Sequence, residues 1–373
     1  MDLQEHIAAV WPRLHALAEP AFQEYETAAF LAAYLRDLGY AVEENVGCAT
    51  GVTAVFDSGV EGPTVAVRTD MDCLLFKQDD GSLRRVHACG HDGHMTVALG
   101  VAALLKERGL PCGRVKILCQ PAEEIGRGAL ALLDGGALDG VQYALGYHVM
   151  PQSMARSGQI IAQINWTACT LMEGEILGLA AHGSQPHLGV NAIDVGAAIV
   201  GGVNALHTDP LLGGSVKTTR FLGGAGSLNA ICDKVQIGFD LRSTSNAEML
   251  ELRRRVGELV VNTAKVYGAE AECHIVGTCP AAEADPSLLA VTREVITSEL
   301  GQQALIPSAS ITVGEDFNFF KEKLPQLKTA SLGIGCDLTP CLHDPEMRFD
   351  HSALGGAIKV LAALVVKILR DRP

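Results

Sequence analysis

Apolar and polar positions change rhythm along the chain. The first 40 residues carry apolar side chains at helical spacing. This predicts helices over 2–19 and 24–38, the second with Glu24 and Glu26 in its first turn. Short apolar runs then alternate with helical stretches. GVTAVFDS, PTVAVRTDMD, GRVKILCQ and QYALGYHV read as strands, and HDGHMTVALGVAALLKERG as a helix with Asp92 as its candidate N-cap. GRGALALLDGG reads as a short helix closed by glycine. Strands alternating with helices predict an α/β fold whose mostly parallel sheet is covered by helices.

Near residue 170 the order becomes strand (LMEGEILGLAA), helix (NAIDVGAAIVGGVNALH), strand (SVKTTRFLGG), strand (KVQIGFDLRS), long amphipathic helix, strand (AEAECHIVG). That order is the β-α-β-β-α-β of a small α+β, ferredoxin-like split-βαβ sandwich. After Pro280 the first rhythm returns, with a helix over 286–300, the strand TASLGIG and a helix over 351–371. The expected organisation is a larger domain of residues 1–169 and 281–373, with residues 170–280 inserted as a second.

Composition narrows the partners. The chain has 373 residues, a net charge of −14 and no Lys/Arg-rich block. Nucleic acid and anionic membranes are therefore poor partners. The late apolar stretch 357–369 is too short to span a bilayer. Eleven cysteines without a signal peptide point to reduced thiols in the cytoplasm.

Candidate chemistry sits where strands end. HACGHDGH (87–94) packs three His, one Cys and one Asp into eight residues. Cys89 and His91 can face one point, with His94 beside them in a supporting role; a polar helix cap is the plain alternative. Glu123 and Glu124 in QPAEE follow a strand. Read alone, they are also explained by a helix N-terminus that favours carboxylates. His148 in GYHV reads alone as a core histidine, and His343 in CLHDP lies in a polar loop with Cys336 and Cys341 nearby. Together, Cys89, His91, Glu124, His148 and His343 gather at strand ends, where open α/β sheets build their sites. Five ligands with one shared suit two divalent metals, with an adjacent carboxylate free to relay a proton. Zn, Mn, Co and Ni all suit a Cys/His/Glu set.

RTDMD (68–72), HACGHDGH, QPAEE, GYHV, NAI (229–231), DLR (240–242), GEDF (314–317) and LHDP resemble, in order and spacing, the M20 family of metallopeptidases and amidohydrolases. The similar branch holds aminoacylases, hippurate hydrolases and auxin-conjugate hydrolases, and HGSQPHLGVNAI is similar to AmhX-type bacterial amidohydrolases. The resemblance implies a dinuclear site on Cys89, His91, Glu124, His148 and His343, with Glu123 as general base and acid. It further implies that the inserted domain is a lid through which two copies dimerise. His182 would polarise the substrate carbonyl, and Asn229 and Arg242 would bind the substrate carboxylate or the tetrahedral intermediate. Asp70 and Asp72 are expected to orient the ligands, with a buried structural role as the alternative.

The chain departs from the family pattern at Leu75–Phe76, at Gly178–Ala181 and at Asn191–Ala192. These changes leave substrate identity open and remove no ligand. The expected activity is hydrolysis of N-acyl amino acids or related small amides. A dipeptidase on the same site and a catalytically silent binding homologue are the alternatives.

Overall fold

The computed structural model describes residues 1–210 and 212–373, which divide into two compact units. The first comprises residues 1–165, 283–310 and 316–373; the second comprises 166–282 and 311–315. The second unit therefore begins and ends slightly outside 170–280. The reason is pairing: its first strand is already opposite Ser243 at Ala168 and opposite Cys279 at Cys169.

In the first unit the chain runs α1 (Leu3–Ala16), α2 (Tyr25–Asp37), β1 (Ala41–Glu44), β2 (Val52–Asp57) and β3 (Thr64–Asp70). A small hairpin of β4 (Leu74–Lys77) and β5 (Leu83–Val86) precedes α3 (His91–Arg108). Then come β6 (Arg114–Gln120), α4 (Gly128–Asp134), β7 (Tyr143–Pro151) and β8 (Ile160–Ile161). A short strand, β9 (Ile164–Trp166), lies where the chain passes to the second unit.

The second unit is built from β10 (Ala168–Leu177), α5 (Ala192–Asn204), β11 (Ser215–Gly223), β12 (Lys234–Ser243), α6 (Asn246–Val266) and β13 (Glu270–Cys279). The remainder, mostly in the first unit, is α7 (Pro286–Leu300), β14 (Leu305–Ile306), β15 (Ala309–Ile311), α8 (Asn318–Lys323), β16 (Lys328–Leu338) and α9 (Leu354–Asp371).

The described residues of the first unit form an eight-stranded sheet ordered β1-β2-β6-β3-β7-β16-β8-β14. Its central pairs, β6–β3, β3–β7 and β7–β16, are parallel. Those strands read as near-continuous apolar runs because both faces are covered. Helix α3 is buried on nearly every side, consistent with a sequence apolar all round. It packs against α1 and α9.

Helix α9, with the turn before it, spans His351–Asp371 as expected, and this whole span, longer than the apolar stretch 357–369, is long and apolar enough by composition to cross a membrane. Its apolar face is instead part of the first unit's core. Asp92 is not the cap of α3. The helix opens at His91 behind a left-handed Gly90, so Asp92 lies inside the first turn.

The second unit has a four-stranded antiparallel sheet ordered β11-β12-β10-β13. Apolar residues at every second position of β12, and Ala168, Met172 and Ile176 on the same face of β10, fill its separate core with those of α5 and α6.

Candidate metal centre

Three chain turns, one after the antiparallel β4–β5 hairpin and two after the parallel strands β6 and β16, build the site together with His148 of β7. Gly90 makes the turn between Cys89 and His91, with φ 81°, and a Cβ there would stand 2.4 Å from Val149 Cγ2. Only glycine suits both conditions. QPAEE leaves β6 through Ala122, a left-handed non-glycine residue (φ 53°), into a single 3-10 turn over Glu123–Ile125. His343 is left-handed as well (φ 64°), and its N–H donates to the Ala88 carbonyl at 2.7 Å. Such a conformation costs about 1–2 kcal/mol at a residue with a Cβ.

The cost is offset by fixed partners. The Ala122 N–H donates to Glu24 Oε1 at 2.9 Å. The Glu123 and Glu124 N–H groups donate to Asp72 Oδ1 and Oδ2 at 3.0 and 3.1 Å. Glu24 and Asp72 are both fully buried, so two carboxylates clamp the turn from outside the sequence motif. Behind it, Arg68 donates to Asp70 at 2.6 Å, to Asp316 at 2.9 Å and to Gln120 at 2.9 Å. Asp316 also accepts from Gln120 and from the Ala129 N–H.

The structure brings five of the expected side chains together. One ligand atom each from Cys89, His91 and His148 lie within 4.8 Å of one another, and so do those of Cys89, Glu124 and His343. Cys89 is common to both sets. The two imidazoles of the first set are poised alike. His91 Nδ1 is 2.9 Å from the Asp72 carbonyl, and His148 Nδ1 is 2.6 Å from that of Val149. Each Nδ1–H donates there, which leaves Nε2 as the nitrogen that can turn to a metal. His148 Nε2 stands 3.4 Å from Cys89 Sγ. His343 Nε2 stands 3.4 Å from Glu124 Oε2.

His94 is different. Its Nδ1 is 2.7 Å from Asp70 Oδ1 and its Nε2 accepts the Val149 N–H at 2.9 Å. Neither nitrogen is left for a metal, so His94 positions the strand next to His148. Cys336 is buried and Cys341 exposed, and neither joins His343 in a ligand group among the described residues.

Two atoms decide whether an ion fits. His91 Nε2 and Glu124 Oε1 are buried without a hydrogen-bond partner, and they lie 3.8 Å apart. Each unmet buried polar atom costs about 1–3 kcal/mol. Divalent cations held by these two ligand sets would supply what both atoms lack.

The electrostatics agree. Burial alone would lower the His91 pKa, but Asp70, Asp72 and Glu124 raise it to about 10. Burial, with Asp72 and Asp70 adding to it against His91, lifts Glu124 to about 7. Burial would raise Asp70 too, yet His91, His94 and Arg68 hold it well below the usual range. His148 is pushed well down by burial, hence neutral and ready to ligate. A buried cluster of carboxylates that draws positive charge onto a neighbouring imidazole suits cations. The residues therefore fit a pair of divalent metals.

The remaining expected residues belong to the second unit. His182 pairs with Ala230 in an isolated bridge, and its Nδ1 accepts the Ser184 N–H at 3.1 Å, which puts its proton on Nε2. The Gly183 N–H donates to the Asn229 carbonyl at 2.6 Å, so His182 and Asn229 are neighbours. Arg242, on β12, turns its guanidinium fork onto Asp240, with Nε and Nη2 at 2.7 and 3.0 Å, and Nη1 donates to the Thr312 carbonyl.

Comparison with known proteins gives one answer. The model of "Peptidase family M20/M25/M40" matches residues 66–367. An IAA-amino acid hydrolase ILR1-like protein of Arabidopsis thaliana is 28% identical over 96% of this chain and 84% of its own. An N-acetylcysteine deacetylase of Bacillus subtilis is 28% identical over 95% of both chains. Among solved structures, a dinuclear metal-binding peptidase of the M20 family from Bacillus subtilis superposes with a TM-score of 0.84, at 26% identity over 98% of both chains.

Proposed function

The chain belongs to peptidase family M20/M25/M40 and is a metal-dependent hydrolase of amide bonds, and from that premise we propose that it cleaves N-acyl amino acids with Glu123 as general base and acid. The observation that carries the site assignment is the pair of unpartnered buried atoms, His91 Nε2 and Glu124 Oε1, beside Cys89, His148 and His343. In this reading those five residues hold two divalent ions of the Zn, Mn, Co or Ni kind. The ions supply Lewis acidity toward water and the amide carbonyl.

Glu123 is the carboxylate beside the ligands, with one oxygen 3.9 Å from His91 Nε2. It takes the proton of the attacking water and delivers it to the leaving nitrogen. Asp72 keeps Glu123 and Glu124 apart in role. By fixing their two successive N–H groups it fixes the backbone from which the side chains diverge.

His182 offers its Nε2–H to the substrate carbonyl oxygen, and Asn229 and Arg242 serve the carboxylate end. Arg242 meets a carboxylate bidentately. Its hold on Asp240 is the contact that a substrate carboxylate replaces. The names of the Arabidopsis and Bacillus relatives, both acting on N-acylated amino acids, support the substrate class. We further place a homodimer contact on the second unit, where Phe221, Leu222 and Leu228 are exposed. The compartment we propose is the cytoplasm, in keeping with eleven free cysteines.

The test is a hydrolysis screen of acetyl, benzoyl and indoleacetyl amino acids and of dipeptides, each with added Zn, Mn, Co or Ni. Release of the free amino acid from at least one N-acyl substrate is expected. No cleavage of any N-acyl amino acid overturns the reading, and cleavage of dipeptides alone replaces it with a dipeptidase.

A further inference from the structure

Away from the metal centre, the second unit holds a pair of cysteines that the proposed hydrolysis does not use. Cys169 of β10 stands directly opposite Cys279 of β13 and, on its other side, directly opposite Arg242 of β12. Directly paired residues share a face, so Cys279, Cys169 and Arg242 form a row across the sheet. The Cα atoms of such antiparallel pairs lie about 4.5–5.5 Å apart, inside the ~4.4–6.8 Å a disulfide accepts. The Cys279 side chain is hydrogen-bonded to Cys169. Both are only partly buried. Gly314 lies over them; a Cβ there would stand 2.7 Å from Cys169 Sγ and 3.0 Å from Cys279 Cβ. The missing side chain leaves the sulfurs their room.

The surroundings single out one of the two as the nucleophile. The Cys279 hydrogen bond, against the effect of burial and with help from Arg242, brings Cys169 down to about 6, although Asp240 opposes it. Burial instead pushes Cys73, Cys119 and Cys336 up to about 12 and Cys273 up to about 11. A thiolate is the reactive form, and an accessible one beside a second thiol is the setting of an oxidisable cysteine.

We propose that Cys169 and Cys279 are a peroxide-oxidisable dithiol that closes into a cross-strand disulfide beside Arg242. The Cys169 thiolate attacks one oxygen of hydrogen peroxide and the O–O bond breaks. Hydroxide leaves, takes a proton and becomes water, and the sulfur is oxidised to a sulfenic acid. The Cys279 sulfur then attacks the Cys169 sulfur. The S–S bond forms as the S–O bond breaks, and the departing hydroxide leaves with the Cys279 proton as a second water. Two thiols lose two electrons and two protons, and the peroxide is reduced to two waters. The bond ties the first strand of the second unit to its last, close to where the chain enters at Trp166 and leaves at Ala282. It also takes away the thiolate that faces the Arg242 guanidinium.

The experiment uses the full-length, metal-loaded protein treated with hydrogen peroxide, quenched with N-ethylmaleimide and mapped by non-reducing peptide mass spectrometry. The expected result is loss of two of the eleven thiols and a linked Cys169–Cys279 peptide, two hydrogens lighter than its parts and restored by dithiothreitol. It is expected before any change at the exposed Cys341. In Cys279→Ser the linked peptide is lost and dimedone traps a sulfenic acid on Cys169. Oxidation of Cys341 or any other cysteine while Cys169 and Cys279 remain open to alkylation overturns the proposal. So does a folded Cys279→Ser protein whose Cys169 reacts with neither peroxide nor dimedone. Because the readout is mass, metal-site damage at Cys89 does not imitate either outcome.

Discussion

Asp72→Asn is a small change with a large calculated effect. Both Asp72 oxygens are committed, one to the Glu123 N–H and the other to the Glu124 N–H. Asparagine brings one oxygen and one NH2. The N–H that keeps an acceptor exchanges a charge-assisted bond for a neutral one, a loss of about 1 kcal/mol. The other N–H meets a donor in a fully buried place and loses its bond outright, for about 2–3 kcal/mol more. The total is about 3–4 kcal/mol, drawn from the turn that aims Glu123 and Glu124. Part of it will appear as weaker metal binding, by about 10–100-fold, which corresponds to about 1.4–2.8 kcal/mol; the rest will appear as a lower melting temperature of the metal-free protein.

Glu24→Gln is the matched control. Its Oε1 receives the Phe22 and Ala122 N–H groups and its Oε2 only the Thr50 hydroxyl. A glutamine oxygen can keep both backbone donors while the hydroxyl turns to accept from the amide, so the cost is at most about 1 kcal/mol. Chelator competition titrations on both variants, with melting curves of the metal-free forms, make the comparison. Wild-type metal affinity in Asp72→Asn, or equal losses in the two variants, refutes the reasoning.

Glu123→Gln is expected to keep its metal while hydrolysis of the best N-acyl substrate falls by about 10²–10⁴-fold; substantial activity with metal bound would remove Glu123 from its role. Alkylation of Cys169 by iodoacetamide, followed by peptide mass spectrometry, should rise with pH through about 6 and level off above it, because only the thiolate reacts and it is present above that pKa. A midpoint near the ordinary ~8.5 of a free thiol contradicts the described surroundings. In Gly128→Ala the new Cβ would lie 1.5 Å from the Pro121 carbonyl oxygen, so the backbone after QPAEE must shift, at a cost of upward of about 3 kcal/mol. Denaturant melts should show this, and an unchanged midpoint would contradict the packing.

The sequence was most legible where one local pattern determines structure. The β-α-β-β-α-β run of the second unit follows from strand and helix periods alone, and α7 spans 286–300 as expected. Cys89 and His91 could be paired because ligand types crowd eight residues. Glu24 could not be recognised, since a glutamate at a helix start is already explained by the dipole. Its real partners, the N–H groups of Phe22 and Ala122 and the Thr50 hydroxyl, include residues nearly a hundred positions away. Arg68 in RTDMD had the same problem. Nothing nearby indicates that it is buried on Asp70, Gln120 and Asp316. The β4–β5 hairpin was missed because LLFKQDDGSLRRV is short and half polar. Asp92 misled because a helix-start aspartate usually caps. Here Gly90 already makes the turn, and Asp92 faces His15 at 2.7 Å.

The Arg68 network also bears on the order in which the molecule is made. Its acceptor Asp316, like the candidate ligand His343, lies beyond the point where the chain has left the second unit's main segment. A polypeptide emerging from the ribosome holds HACGHDGH and QPAEE early, yet Arg68 and Gln120 then lack the carboxylate that fixes them. The metal centre is completed only when nearly the whole chain is available. A protein truncated before residue 316 would keep Cys89, His91 and His148 but lose His343 and the Asp316 carboxylate that fixes Arg68 and Gln120, so only the second ligand set reports a finished fold.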